Sequence, residues 1–432
     1  MNNVLFISNV KFSYYGSNGK TFLSFFNGLK DFRVSQLYFN KSTDESYDEG
    51  RDFLLSEVEI IKSFFLGTNR NQGVGPEVIG SLLKEKGFVF SILRILDSIK
   101  VILRDLIFLN YNLFNNNSFV IWLENQKPDI IFLAGADYIF NYVYASQISA
   151  RLNIPLVIFF GDDFFIYNKR GLFFGKFYYK YFFRRVMPVI QSSEEIFVIN
   201  KIMQEKYDEF FGRQTKILVQ SSMKIHDIES KSIDHTQKVI FSYIGMIHSG
   251  RLTTLLWFAD FLHDFNRKYK LYTQLKIYTT SEFKISDYNH LDDVLQIEKA
   301  LIHEHDFISV ISNTNFLVHV EGFDKKYISK VALSFSTKIV DYLQSNRCIV
   351  AVGPSSVASI DLLERYNLAY VLCDRINTNT KMKLLFDLIS SDITYSGFCQ
   401  RSSNYYKVNF RKEIIQENLR NSLLDVISRR GN

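Results

Sequence analysis

Short apolar runs recur along the whole chain, separated by longer amphipathic stretches. Val4–Ser8, Gln36–Phe39, Asp129–Ala134, Leu156–Phe160, Ile196–Ile199 and Ile217–Val219 form a first set. Val239–Ile244, Leu275–Tyr278, Phe316–Val320, Cys348–Val352 and Tyr370–Leu372 form a second. The runs are continuous rather than alternating, as in strands buried on both faces of a parallel sheet. Helical stretches between them give the βαβ pattern. Between the sets, Lys224–Lys238 is rich in Ser, Asp, His, Lys and Gln and reads as a linker. The pattern predicts two doubly wound α/β domains, 1–223 and 238–409, and a closing helix within 410–432. Ligands of such sheets bind outside the carboxyl ends of the strands, so the loops after each strand are where chemistry is expected.

Composition narrows this picture. The 432 residues suit two domains, and 47% hydrophobic with 22% charged residues lets each half bury a core. The net charge of +6 is too small over this length for a nucleic-acid binder and fits a protein that meets phosphates or an anionic membrane surface. The 41 Phe and 25 Tyr are what AT-rich codons supply, so they say little about ligands. Cys348, Cys373 and Cys399 form no metal spacing and no disulfide framework, which points to a reducing cytoplasm. Met1–Ser8 reads as a first strand and not a secretory leader, and no apolar run approaches the ~20 residues of a membrane span.

Five segments carry candidate chemistry. In Leu333–Leu343, a loop leads into a short helix, with Ser336 or Thr337 as N-cap, Lys338 as an added positive charge, and Asp341 one turn on. A helix start with a lysine suits a phosphate, and a carboxylate one turn later suits a ribose diol; an ordinary capped helix is the plain alternative. In Phe241–Arg251, a strand ends at Gly245 and a helix begins near Leu252, placing Arg251 to fork onto a diphosphate. A surface arginine on a βα turn is the alternative. Tyr15–Lys20, with Gly16, Ser17 and Gly19, lacks the Walker spacing and reads as a flexible loop facing the crevice. Asp162 and Asp163 follow Leu156–Phe160, and Glu321 follows Phe316–Val320; each suits acceptor binding or general-base work, or a helix cap. Lys169–Arg185 holds six basic residues, eight aromatics and no acid. Lys176, Lys180 and Arg184 share one helical face, as in an interfacial helix on anionic lipid; a core helix or a nucleic-acid patch are the other readings.

The C-terminal half resembles the retaining glycosyltransferases of the GT-B fold, family four, many of which build bacterial surface polysaccharides. Tyr243, Gly245 and Arg251 match that group's strand-Gly-basic element, with Met246 where an arginine is frequent. Ser336-Thr337-Lys338 through Asp341-Tyr342-Leu343 is similar to its Ser-Thr-Lys-x-x-acid-Tyr-Leu variant, and Glu321-Gly322-Phe323 to its Glu-Gly-Phe element, at a longer spacing from Asp341. Asp162-Asp163 resembles the group's His-Asp after an Ile-Pro-Leu-Val strand. The resemblance implies two Rossmann-like domains facing across a crevice, with the last helix returning to the first. It implies a nucleotide-diphosphate sugar donor at Gly245, Arg251, Ser336, Thr337, Lys338 and Asp341, and no required metal or other cofactor. It implies a glycan or lipid-linked acceptor on the N-terminal domain, at Asp162 or Asp163. With the basic helix, it implies an enzyme on the inner face of the cell membrane and no nucleic-acid partner. A sugar-nucleotide epimerase of the same fold and a non-catalytic partner subunit are the alternatives.

Overall fold

The computed structural model describes residues 1–13, 17–40, 50–56, 60, 97–167, 173–221, 233–234, 237–281, 289–301 and 304–430. The chain divides into two compact units, Met1–Val219 with Gln416–Asn432, and Gln220–Ile415.

The first unit runs β1 (Asn2–Ser8), α1 (Ser17–Phe26), β2 (Phe32–Tyr38), β3 (Asp52–Leu54), α2 (Asp97–Asn110), α3 (Asn117–Gln126), β4 (Ile130–Ala134), α4 (Ile139–Leu152), β5 (Leu156–Phe160), α5 (Phe173–Ser192), β6 (Glu195–Val198), α6 (Lys201–Phe211) and β7 (Lys216–Ile217). Its sheet has the order β3-β2-β1-β4-β5-β6-β7, every pair parallel. Consecutive parallel strands need a crossover, and the amphipathic stretches supply one as helices. The aromatic excess goes into this core: Phe6, Phe159 and Phe197 surround Phe132 at centroid distances of 5.5, 6.5 and 6.0 Å. Helix α4 starts against a buried carboxylate: the N–H groups of Ile139 and Phe140 donate to Asp105 of α2 at 3.1 and 3.2 Å. The Tyr178 hydroxyl of α5 donates to it too, so one side chain ties three helices. Burial pushes this carboxyl up to about 6, against those donors and Arg104.

The second unit runs β8 (Val239–Ile244), α7 (Arg251–Tyr269), β9 (Thr273–Thr279), β10 (Leu295–Lys299), α8 (Glu304–Ser312), β11 (Phe316–Val320), α9 (Lys325–Val331), α10 (Lys338–Gln344), β12 (Cys348–Val352), α11 (Ala358–Arg365), β13 (Ala369–Leu372), α12 (Thr378–Ser390) and α13 (Asp392–Asn409), with α14 (Lys412–Arg430) after it. Its sheet is also wholly parallel, in the order β10-β9-β8-β11-β12-β13. From Gln416 onward α14 belongs to the first unit. Leu419, Leu423 and Val426 are buried at helical spacing. The Gln416 amide donates to the carbonyls of Ser24 and Asn27 at 3.0 and 2.9 Å, satisfying the end of α1.

Each apolar run forms a strand within a few residues of its expected bounds. β3 and β10 had no counterpart in the pattern, being edge strands with short or half-polar sequences. The loop expected at Gly16, Ser17 and Gly19 is shorter than that: Ser17 and Gly19 lie in the first turn of α1. Gly16 and the side chain of Ser17 lie outside the described residues. A Cβ on Gly19 would stand 2.8 Å from the Ser13 Cβ and 3.1 Å from the Lys11 carbonyl, so this glycine lets α1 close onto the preceding loop.

Candidate functional site

In each sheet, the chain leaves one central strand in one direction and the next in the other, at β1/β4 and at β8/β11. In the second unit the sequence-derived donor residues collect at the carboxyl ends of β8 and β11.

Glu321 follows β11 and Arg251 opens α7. The guanidinium closes on the carboxylate with both arms, Nε on Oε2 at 3.2 Å and Nη2 on Oε1 at 3.0 Å. Glu321 is buried and Arg251 partly so, and Thr254 donates to the Glu321 carbonyl at 3.0 Å. This corrects two expectations. The arginine fork expected to face a diphosphate faces Glu321, and Glu321 is a partner for Arg251, leaving it no role as a free catalytic carboxylate. A buried carboxylate takes the nearest fixed bidentate donor because an unpaired charge there is costly. His319, fully buried on β11, places Nε2 3.5 Å from Glu321 Oε1 and 3.1 Å from the Ser359 hydroxyl. Burial, with the Arg251 and Lys338 charges, pushes this imidazole down to about 3, so it is neutral.

Lys338 opens α10 and reaches back over Gly245. A Cβ at Gly245 would collide with the ammonium group. Gly245 therefore makes room for a lysine of its own chain, where the sequence suggested room for a ligand. The Nζ lies 6.0 Å from the centre of the Tyr243 ring and has no ion-pair partner among the described residues. Burial, then the Arg251 charge, lowers this lysine to about 8, against the pull of Glu321 and Asp341. Asp341 is buried one turn further along α10. Neither Ser336 nor Thr337 caps α10 with its side chain. Thr337 is already helical, with φ −58° and ψ −27°, whereas a capping residue needs extended backbone. The Tyr243 hydroxyl donates to the Met246 carbonyl at 2.6 Å, and burial first of all pushes it up to about 12.

Sequence reasoning passed over two residues here, His248 and His319. The exposed His248 accompanies Ser249, with Nδ1 3.0 Å from its hydroxyl, and is lowered by burial and then by the Arg251 and Lys338 charges. Its position three residues before Arg251 was the available signal. His319 sat in an apolar run and looked like core, which it also is.

The remaining candidates lie in the first unit. Asp163 is buried, and its carboxylate accepts from the N–H groups of Phe165, Ile166 and Tyr167 at 3.0, 3.0 and 2.6 Å and from the Tyr207 hydroxyl at 3.0 Å. It organises the loop after β5, which corrects its reading as a catalytic group. Asp162 beside it is exposed. On α5, Lys180 and Arg184 are exposed, while the Lys176 side chain lies outside the described residues. The helix is two-faced: Tyr178, Phe182, Val186 and Ile190 are buried, whereas Phe177 and Tyr181 are 65% and 42% exposed beside Lys180, Arg184 and Arg185. Among the described residues, no group of three or more His, Cys, Asp or Glu side chains is placed to hold a metal, and no helix is long and apolar enough to cross a membrane.

No protein-family model and no curated protein matches the sequence. Solved structures do. The Anabaena protein HepE in complex with UDP-glucose is 10% identical, with 98% of this chain and 99% of that one covered and a TM-score of 0.56. A trehalose-6-phosphate structure from E. coli bound with UDP-2-fluoro glucose is 9% identical, with 99% of each chain covered and a TM-score of 0.58. TarM is 11% identical, again over 99% of each chain, at 0.57. At such identities the likeness speaks for architecture, and it spans the whole chain: this protein has the two-unit α/β GT-B fold.

Proposed function

We propose that the chain is a glycosyltransferase moving a sugar, with retention, from a nucleotide-diphosphate donor to a growing, lipid-linked surface glycan. The observation that carries this reading is Lys338: an ammonium drawn into the protein over Gly245, lowered by burial, with no carboxylate in ion-pair reach among the described residues. A cation held this way is matched by an anion that arrives with the substrate. Lys338 neutralises the leaving diphosphate, while Arg251 is paired with Glu321. This fixed cation takes the part of a positive charge placed at the leaving group. Asp341 takes the ribose diol, and Asp162, the exposed member of its pair, meets the acceptor. UDP is the first nucleotide to try, since the solved structures bearing UDP-glucose and UDP-2-fluoro glucose share the fold.

The test is a thermal-shift series with UDP, GDP, ADP and CMP in EDTA. A ligand at 100 times its Kd stabilises by ~2.7 kcal/mol. One nucleotide is expected to raise Tm in the wild type and not in Lys338→Ala. A well-folded sample that responds to none of them would rule the reading out.

The acceptor's lipid anchor is met by α5 at the inner membrane face. Its exposed side offers two aromatics and three basic residues, which suits an anionic bilayer surface. Each basic residue near such a surface contributes about 1 kcal/mol, so Lys180→Glu with Arg184→Glu should weaken binding to phosphatidylglycerol vesicles at least about thirtyfold. Equal sedimentation of wild type and variant with those vesicles would count against the docking role.

A further inference from the structure

In the first unit, the strand order reverses between β1 and β4, and a cluster of carboxamides sits at that point. Asn9 follows β1, Asn40 follows β2, and Asn141 lies in the first turn of α4, just after β4. They are linked. The Asn141 amide donates to Asn9 Oδ1 at 3.0 Å, and the Asn40 backbone N–H donates to the Asn9 carbonyl at 2.9 Å. Arg104 of α2 donates to Asn40 Oδ1 at 3.1 Å while its guanidinium lies 4.1 Å from the centre of the Tyr138 ring.

Each carboxamide uses one end of its amide inside this chain of bonds. Asn9 and Asn40 have their oxygens engaged, and their NH2 groups have no partner among the described residues. Asn141 has its NH2 engaged, and its Oδ1, fully buried, has no hydrogen-bond partner among the described residues. Reversing the amides does not remove the orphan, because Asn141 would then bury an unpaired NH2 instead. Buried polar atoms of this kind are ordinarily matched, and a protein that keeps one unmatched at a topological switch point keeps it for something that arrives.

We infer that Asn9, Asn40 and Asn141 form a subsite for the hydroxyl groups of an acceptor sugar. This rests on the transferase reading above and names which part of the acceptor the first unit recognises. The chemistry selects a polyol over a phosphate. A hydroxyl both donates and accepts, and the cluster leaves over two donor groups and one acceptor atom. A phosphate accepts only, and the Asn141 oxygen would repel it. The cluster's one guanidinium is turned onto Asn40 and Tyr138. Asn9 and Asn40, half-buried, meet the sugar, while Asn141 acts through Asn9 or through a bridging water.

The experiment is saturation-transfer NMR with the full chain and a panel of methyl glycosides of glucose, galactose, mannose and N-acetylglucosamine. Thermal shifts with UDP, GDP, ADP and CMP are recorded on the same samples. At least one glycoside should give a signal that falls about tenfold in Asn9→Ala and in Asn40→Ala, the usual loss when a polar partner is removed, and that persists in Lys338→Ala. Asn141→Leu, which keeps the volume and removes the orphan, should lose the signal and raise Tm. The inference is overturned if no glycoside binds, if both alanine variants bind as wild type does, or if the signal vanishes in Lys338→Ala, which would put the sugar in the second unit. A nucleotide shift without glycoside binding removes this subsite and leaves the transferase reading standing; no shift with any of UDP, GDP, ADP and CMP removes that reading itself.

Discussion

Arg251→Ala should be the most destabilising single change at the candidate site, lowering stability by about 3–5 kcal/mol. The change deletes the bidentate partner of Glu321, a carboxylate whose side chain is 3% exposed. The lost bonds are the smaller part of the cost. The larger part is a buried charge left with no ion-pair cation among the described residues, beside the neutral His319. In a unit of about 200 residues, a loss of that size lowers Tm by roughly 10 °C. Removing both charges behaves differently: Arg251→Met with Glu321→Met should recover most of the loss, because an apolar replacement of a buried pair is often neutral. Arg251→Lys should rescue little, since an ammonium cannot copy the two-armed geometry. Calorimetry of the double-mutant cycle reads all of this, and an Arg251→Ala protein melting with the wild type would mean the pair does not form. Loss of nucleotide binding in Arg251→Ala is therefore poor evidence for a direct contact, and Lys338→Ala is the cleaner probe.

Lys338→Ala should cost about 10²–10³ in kcat/KM, the usual effect of removing one fixed group that stabilises developing charge. It should also stabilise the free protein. This lysine is lowered from 10.5 to about 8 in the folded state, so the fold works against its charge at neutral pH. That cost is present below pH 8 and is relieved as pH rises from about 8 to 10.5, where the unfolded chain binds the proton and the folded one does not. Allowing for partial solvent access, relief by truncation amounts to about 1–2 kcal/mol at pH 7. Diphosphate binding has the opposite sign, because a bound anion restores the lysine charge. Above pH 8, binding must take up a proton, and UDP affinity should fall toward tenfold per pH unit. Titration calorimetry from about pH 7 to 9.5, in two buffers of different ionisation enthalpy, measures both affinity and proton uptake. A flat affinity across that range would put the diphosphate elsewhere.

Much of the architecture was written in the apolar runs. A strand such as Phe316–Val320, buried along its whole length, has nothing polar to interrupt it apart from His319, and its boundaries follow. β10 was hidden because Leu295-Gln296-Ile297-Glu298-Lys299 is an edge strand of mixed apolar and polar residues, most of them half-buried. At the candidate site the residue types were legible and their partners were not. Nothing local tells Arg251 that its nearest anion is Glu321, seventy positions away, and that pairing is made by the adjacency of β8 and β11. Likewise the spacing of Asp162 and Asp163 cannot say which turns inward; Tyr207 and three backbone amides decide it. The carboxamide cluster was illegible for the same reason, because Asn9, Asn40 and Asn141 are unremarkable until the sheet brings them together.

The placement of α14 bears on how the protein is made. The first unit starts at β1 and is finished by the residues from Gln416 onward, which bury Leu419, Leu423 and Val426 and satisfy the end of α1. Between Val219 and Gln416 the ribosome adds all of the second unit, which at about 5–20 residues per second takes roughly 10–40 s. For that interval the nascent first unit carries an uncovered apolar strip, and only the second can complete itself as it emerges. A messenger cut short before the codon for Gln416 therefore damages the unit encoded ahead of the second.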